Sequence, residues 1–156
     1  HPPCRAWGKL KHFAKPRPDE KQLGIDAVAN VRRWGGVLEH PAGSTLFAHC
    51  SMPRPGQLED AHGGWTLRIQ QFHFGHRAEK DTWLYIVGIC PEFLPEIPFR
   101  SGRPTHVINS CLRGPDGRLL RKGHPDWRPE CSKPEREHTP PALADWLVET
   151  ARRSLR

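Results

Sequence analysis

The stretch from Asp19 to Pro41 constrains the fold more than any other part of the chain. Asp19 is a good helix N-cap, and Glu20 places a negative charge in the first turn. Leu23, Ala27, Val31 and Trp34 then recur at helical spacing, Arg32 and Arg33 fill the last turn, and Gly35-Gly36 stops it. The spacing predicts an amphipathic helix whose apolar face carries those four residues. Val37 and Leu38 follow at once and Pro41 closes the run, so this segment reads as a short buried strand ending at Glu39-His40. A helix running straight into a buried strand is half of an alternating α/β pattern. In open sheets of that kind the ligand crevice lies beyond the carboxyl ends of the strands.

The chain opens with His1-Pro2-Pro3-Cys4-Arg5-Ala6-Trp7. Each proline fixes its own φ, and Pro3 biases Pro2 away from helix, so Cys4 sits on stiff backbone. The cation of Arg5 favours the thiolate, the reactive form of cysteine. Cys4 is therefore a candidate nucleophile. It and Glu39 are each expected at the carboxyl end of a strand, facing one site.

Further along, Lys9 to Pro18 reads as a basic loop, and Ala42 to Gly64 as mostly loop with one helical turn near Ser44 to His49. Trp65 to Gln70 alternates apolar and polar, and Thr82 to Gly88 is β-branched and aromatic. Together these predict two strands of a long-looped hairpin. The segment 91–135 reads as an irregular basic insertion, with Thr105 to Cys111 a candidate short strand. Thr139-Pro140-Pro141 starts a last helix in which Leu143, Trp146 and Leu147 share a face.

A chain of 156 residues fits one α/β domain with a real core. Without Met at its start, it is expected to be the later part of a longer chain. No apolar run approaches the roughly 20 residues that a membrane span requires. Five cysteines at irregular spacing give no disulfide framework, which points to a reducing cytoplasm. The formal charge of +7 fits a polyanionic partner.

In order, four blocks resemble the cytosine-5 DNA methyltransferases, and more closely the compact methyltransferase-like proteins of phages and prophages. Pro2-Pro3-Cys4 is similar to that family's Pro-Pro-Cys nucleophile loop. Val37-Leu38-Glu39-His40-Pro41 looks like its strand ending in Glu-Asn-Val or Glu-Asn-Pro. Phe74-Gly75, Lys80, Thr82 and Tyr85-Ile86-Val87-Gly88 resemble its Tyr-Gly, Gln-x-Arg-x-Arg and Phe-Ile-Val-Gly block. Thr139-Pro140-Pro141-Ala142-Leu143 looks like the Val-Pro-Pro-Pro-Leu that opens its last helix.

The resemblance implies a Rossmann-like methyltransferase fold, of which this chain holds the C-terminal part of the sheet, an antiparallel hairpin and a closing C-terminal helix. It implies DNA as partner and S-adenosylmethionine as methyl donor. The family's glycine-rich cofactor loop has no counterpart in these residues, so an N-terminal segment or partner chain is expected to complete the cofactor site. Cys4 and Glu39 would be catalytic. Arg5, His40, Lys80 and Thr82 would hold the flipped base and its phosphates, and Pro2, Glu137, Thr139 and Pro140 would face the cofactor. His40 and Glu137 stand where the family has Asn, and Ala78, Lys80 and Thr82 replace Gln-x-Arg-x-Arg. Two other readings differ in kind: a non-catalytic, basic DNA-binding relic of the fold, and a zinc module using Cys111, His124, Cys131 and His138.

Overall fold

The computed structural model describes residues 3–8, 11, 15–109 and 112–154. Most of the expected helices and strands form. Helix α1 spans Glu20–Trp34, strand β1 Gly36–Pro41, helix α2 Thr45–His49 and strand β2 Gly64–Gln70. Strand β3 spans Asp81–Val87, helix α3 Lys133–Glu137 and helix α4 Pro141–Ser154. One-turn 3₁₀ helices occupy Gln71–Phe74 and Pro91–Phe93.

The sheet has the order β1-β3-β2, and β3 runs antiparallel to β1 with Leu38 opposite Tyr85 and Glu39 opposite Leu84. The later hairpin strand is thus the central one. Its Leu84, Tyr85 and Ile86 are fully buried, as a strand covered on both faces requires. Strand β1 continues through Pro41, so Glu39 and His40 lie inside its paired length, short of its end.

The chain divides into two compact units. The first comprises His1–Ile69, Asp81–Glu96 and Asp145–Arg156, and the second Gln70–Lys80 and Ile97–Ala144. The core of the first unit gathers Trp7, Val28, Leu38, Leu46, Phe47, Met52, Tyr85 and Val87, with Phe47 edge-on to Trp83 at 5.0 Å between ring centroids. Helix α1 stops where Gly35 takes φ +76°, a conformation that L side chains rarely adopt. The carbonyls of Val87 and Ser154 press on the same spot, each 3.3 Å from where a Cβ would stand.

The buried face of α1 differs from the one its apolar spacing predicts. Leu23 is 41% exposed and Trp34 63% exposed, with the Arg33 guanidinium over the indole of Trp34. The buried stripe is Glu20, Gly24 and Val28. Helical periodicity located the helix, but a neighbour distant in sequence chose the face. The indole of Trp7 lies on Gly24 so closely that a Cβ there would stand 2.5 Å from Nε1.

In the second unit, regular structure is sparse. The expected strand at Thr105 to Cys111 is present only as isolated bridges, His106 with Ala78 and Val107 with Glu130, and Cys111 lies outside the described residues. Of residues 105–109 only Val107 is buried, too little apolar surface to make a ladder. Arg113 bridges Leu119 across a glycine-containing turn. In α4, Leu143 and Trp146 are buried and Leu147 half-buried, as their spacing predicts.

Candidate functional site

Cys4 starts a tight turn, its carbonyl accepting from the N–H groups of Trp7 at 3.0 Å and Gly8 at 2.8 Å. Two anchors hold this turn. Arg5 forks onto the Glu20 carboxylate, with Nε 2.8 and 2.7 Å from its two oxygens and Nη2 also donating. Glu20 is only 1% exposed, and the Arg5 hydrogen bonds hold its carboxyl down at about 2. At the other anchor, the Trp7 carbonyl accepts from Thr45 N–H at 2.9 Å, Thr45 Oγ1 at 3.0 Å and Ser44 Oγ at 3.3 Å. Ser44 caps α2, taking the Leu46 N–H at 3.2 Å. Because α2 begins four residues beyond the end of β1, this second anchor ties the Cys4 turn to the loop that leaves the carboxyl end of that strand.

Two polar side chains are buried near that end. Glu39 is 5% exposed and His40 fully buried, a rare environment for two titratable side chains at successive positions of a strand. Alternation along the strand sets Glu39 on the face of Leu84, and His40 on the face of Leu38 and Trp83, which is also the face of the Trp7 cluster. Thr82 lies opposite Pro41 and is fully buried. Cys4 is a half-buried thiol. Elsewhere, burial pushes the Cys50 and Cys131 thiols up, away from the thiolate.

In the second unit, Lys80 Nζ donates to the His138 carbonyl at 2.9 Å. Glu137 is exposed on α3, Thr139 half-buried and Pro140 buried, while Pro2 lies outside the described residues. Pro140 and His138 line a cavity of about 400 Å³ with Gly75, His76, Cys131 and Glu135. The His76 ring is fixed there, Nδ1 accepting from Ala78 N–H at 3.0 Å and Nε2 3.0 Å from the Glu135 carbonyl. Hydrogen bonds from Ser132 (N–H 3.0 Å, Oγ 2.8 Å) and from Arg77 hold Glu135 down at about 2. The second block pairs with the Thr82–Val87 part of the third as β1 and β3. The Cys4 turn meets the loop after β1 in the first unit, and the Phe74-Gly75 segment meets the start of α4 in the second.

Of the zinc candidates, Cys131 and His138 line that cavity, and His124 Nδ1 takes the Asp126 N–H at 3.1 Å. Cys111 lies outside the described residues, and among the described residues no three His, Cys, Asp or Glu side chains are placed to hold a metal. The described helices include none long and apolar enough to cross a membrane.

One constellation escaped the sequence reading. Tyr85 Oη donates to Asp60 Oδ2 at 2.7 Å, and Arg32 reaches Asp60 at 3.0 Å, Tyr85 Oη at 3.1 Å and the Cys50 carbonyl at 2.8 Å. Asp60 also takes the His62 and Gly64 N–H groups at 2.9 and 3.0 Å. Desolvation, the largest effect on Tyr85, pushes its hydroxyl up to about 12. Asp-x-His-Gly-Gly was a local turn signal, but nothing local pointed to partners on α1 and β3. No family model, curated protein or solved structure matches this chain.

Proposed function

We propose that this chain is the catalytic part of a cytosine-5 DNA methyltransferase-like protein of the compact phage type, with a Rossmann-like sheet, acting in a reducing cytoplasm. The observation that carries this reading is the docking of the Cys4 turn, through the Trp7 carbonyl, onto the loop leaving the carboxyl end of β1. In that strand Glu39 and His40 are buried. A thiol and a carboxyl are the two groups that cytosine chemistry at carbon 5 needs, and the reading requires the base to reach both, since alternation along β1 sets Glu39 on the face away from the Trp7 cluster.

The cytosine must first leave the duplex, at a cost of a few kcal/mol. Cys4 thiolate then adds to carbon 6, forming a C–S bond while the 5,6 π pair moves into the ring toward nitrogen 3. Glu39, as the acid, delivers a proton to nitrogen 3 and leaves an enamine nucleophilic at carbon 5. After carbon 5 has reacted, its proton passes to solvent, the thiolate is expelled from carbon 6, and nitrogen 3 returns its proton to Glu39, which restores the ring. His40 lies next to Glu39 in the strand, and Lys80 and Arg5 are assigned to phosphate or base contacts. Arg5 also acts through Glu20 as a positioning residue for the Cys4 turn.

The described residues do not by themselves fit S-adenosylmethionine. Glu137 is exposed, and Glu135, which lines the cavity with Pro140, is already committed to Arg77 and Ser132. The donor, bound with help from elsewhere, would supply the methyl group. The test is a DNA duplex carrying 5-fluorocytosine, incubated with the protein and methyl donor. A denaturation-resistant adduct is expected, lost in Cys4→Ser and kept in Cys90→Ser. DNA binding with no adduct, unchanged by Cys4→Ser, would leave the non-catalytic relic instead.

A further inference from the structure

The second unit carries an aromatic ladder that the chemistry above does not use. Phe72 meets His73 edge-on at 5.8 Å between ring centroids, and His73 stacks on Phe99 at 5.3 Å with planes 24° apart. Phe99 is 84% exposed. Its rear face is backed by the imidazole and its outer face is open to solvent. The ladder is fixed by its neighbour: Arg100 N–H donates to His73 Nδ1 at 3.2 Å, and the Arg100 guanidinium lies over Phe72, 4.8 Å from the centroid. The unit holding these residues has eleven Lys and Arg against six Asp and Glu, a net +5 of the chain's +7.

We propose that Phe99, backed by His73 and flanked by Arg100, is a stacking platform for an unpaired nucleobase of a DNA strand. A large ring held flat by a parallel neighbour and left open on one side offers its π face to a third ring. Arg100 puts a cation where a strand's phosphate would run, and every base has a π face, so the platform tolerates any sequence. An aliphatic partner would gain nothing from the parallel imidazole, and the unit's charge selects a polyanion. The inference rests on DNA as the partner but not on methyl transfer.

Fluorescence anisotropy with a labelled single-stranded oligothymidylate tests it. Phe99→Ala should weaken binding between about 5- and 150-fold, and Phe99→Trp should bind at least as tightly as wild type. Both variants should unfold at the wild-type temperature, because the ring lies outside the core. Binding by Phe99→Ala within twofold of wild type, with the salt dependence of a DNA-binding protein intact, overturns the platform and leaves the DNA reading standing. No oligonucleotide binding by wild type overturns both. Weakened binding in Phe99→Ala together with no 5-fluorocytosine adduct in wild type upholds the platform and removes only the methyl-transfer reading.

Discussion

Gly24 and Glu20 decide where the candidate nucleophile sits, though neither looks like a core residue in the sequence. In an exposed helix, glycine to alanine would add about 1 kcal/mol. Here the sign reverses, because the new Cβ would meet the Trp7 indole at 2.5 Å. Gly24→Ala should lose about 1–3 kcal/mol, read in urea unfolding, and should impair Cys4 chemistry as Trp7 is displaced. Glu20 acts through charge. Its carboxyl sits at about 2 in the folded chain against an ordinary 4.5, so its contribution is complete above about pH 4.5 and fades as pH falls toward 2. Glu20→Gln should therefore lower the urea midpoint at pH 7, and the two midpoints should converge near pH 2.5. Equal gaps at both pH values would contradict this account of the Arg5–Glu20 pair.

At the scale of elements, the legible parts were those with a period or a punctuation mark. Helix α1 announced itself by spacing and its Gly-Gly stop, β2 by strict alternation and β3 by β-branched and aromatic residues, and Pro140-Pro141 marked the start of α4. The buried face of α1 was not legible, because Trp7 comes from another part of the chain. Nor was the insertion of β3 between β1 and β2, since the choice of pairing partner leaves no local trace in a strand's own residues. At the site, Cys4 and Glu39 are each expected to end a strand; instead Cys4 begins a turn and Glu39 lies within β1, and the anchors of that turn on Glu20 and Ser44 left no local signal. The Arg32–Asp60–Tyr85 network ties α1, β3 and the loop before β2 together through hydrogen bonds to charged groups. Asp60→Asn should cost about 2–3 kcal/mol in urea unfolding, and an unchanged midpoint would show that the network is dispensable.

For the whole molecule, the uneven charge matters most. With +5 on the second unit, the proposed DNA reading places most of the sequence-independent attraction there. Reversing Arg118 and Arg121 to Glu should weaken DNA binding and reduce the slope of log affinity against log salt by about 1 for each phosphate no longer neutralised. The same change at Arg54 and Arg152, in the first unit, should do less. Equal losses from both pairs would mean that the charge is read as a total and not as a patch. In the proposed function charge would bring the strand in, but the account stands or falls on Cys4. Under the proposed function, addition of its thiolate to carbon 6 would let carbon 5 trade its hydrogen with water even without a methyl donor. The most direct measurement is therefore release of tritium from DNA labelled at carbon 5 of cytosine. Wild type should release tritium steadily, Glu39→Gln at least about a hundredfold more slowly, and Cys4→Ser not at all. Release by Cys4→Ser at the wild-type rate, or none by wild type bound to the same DNA, would contradict the assignment of Cys4 as the nucleophile.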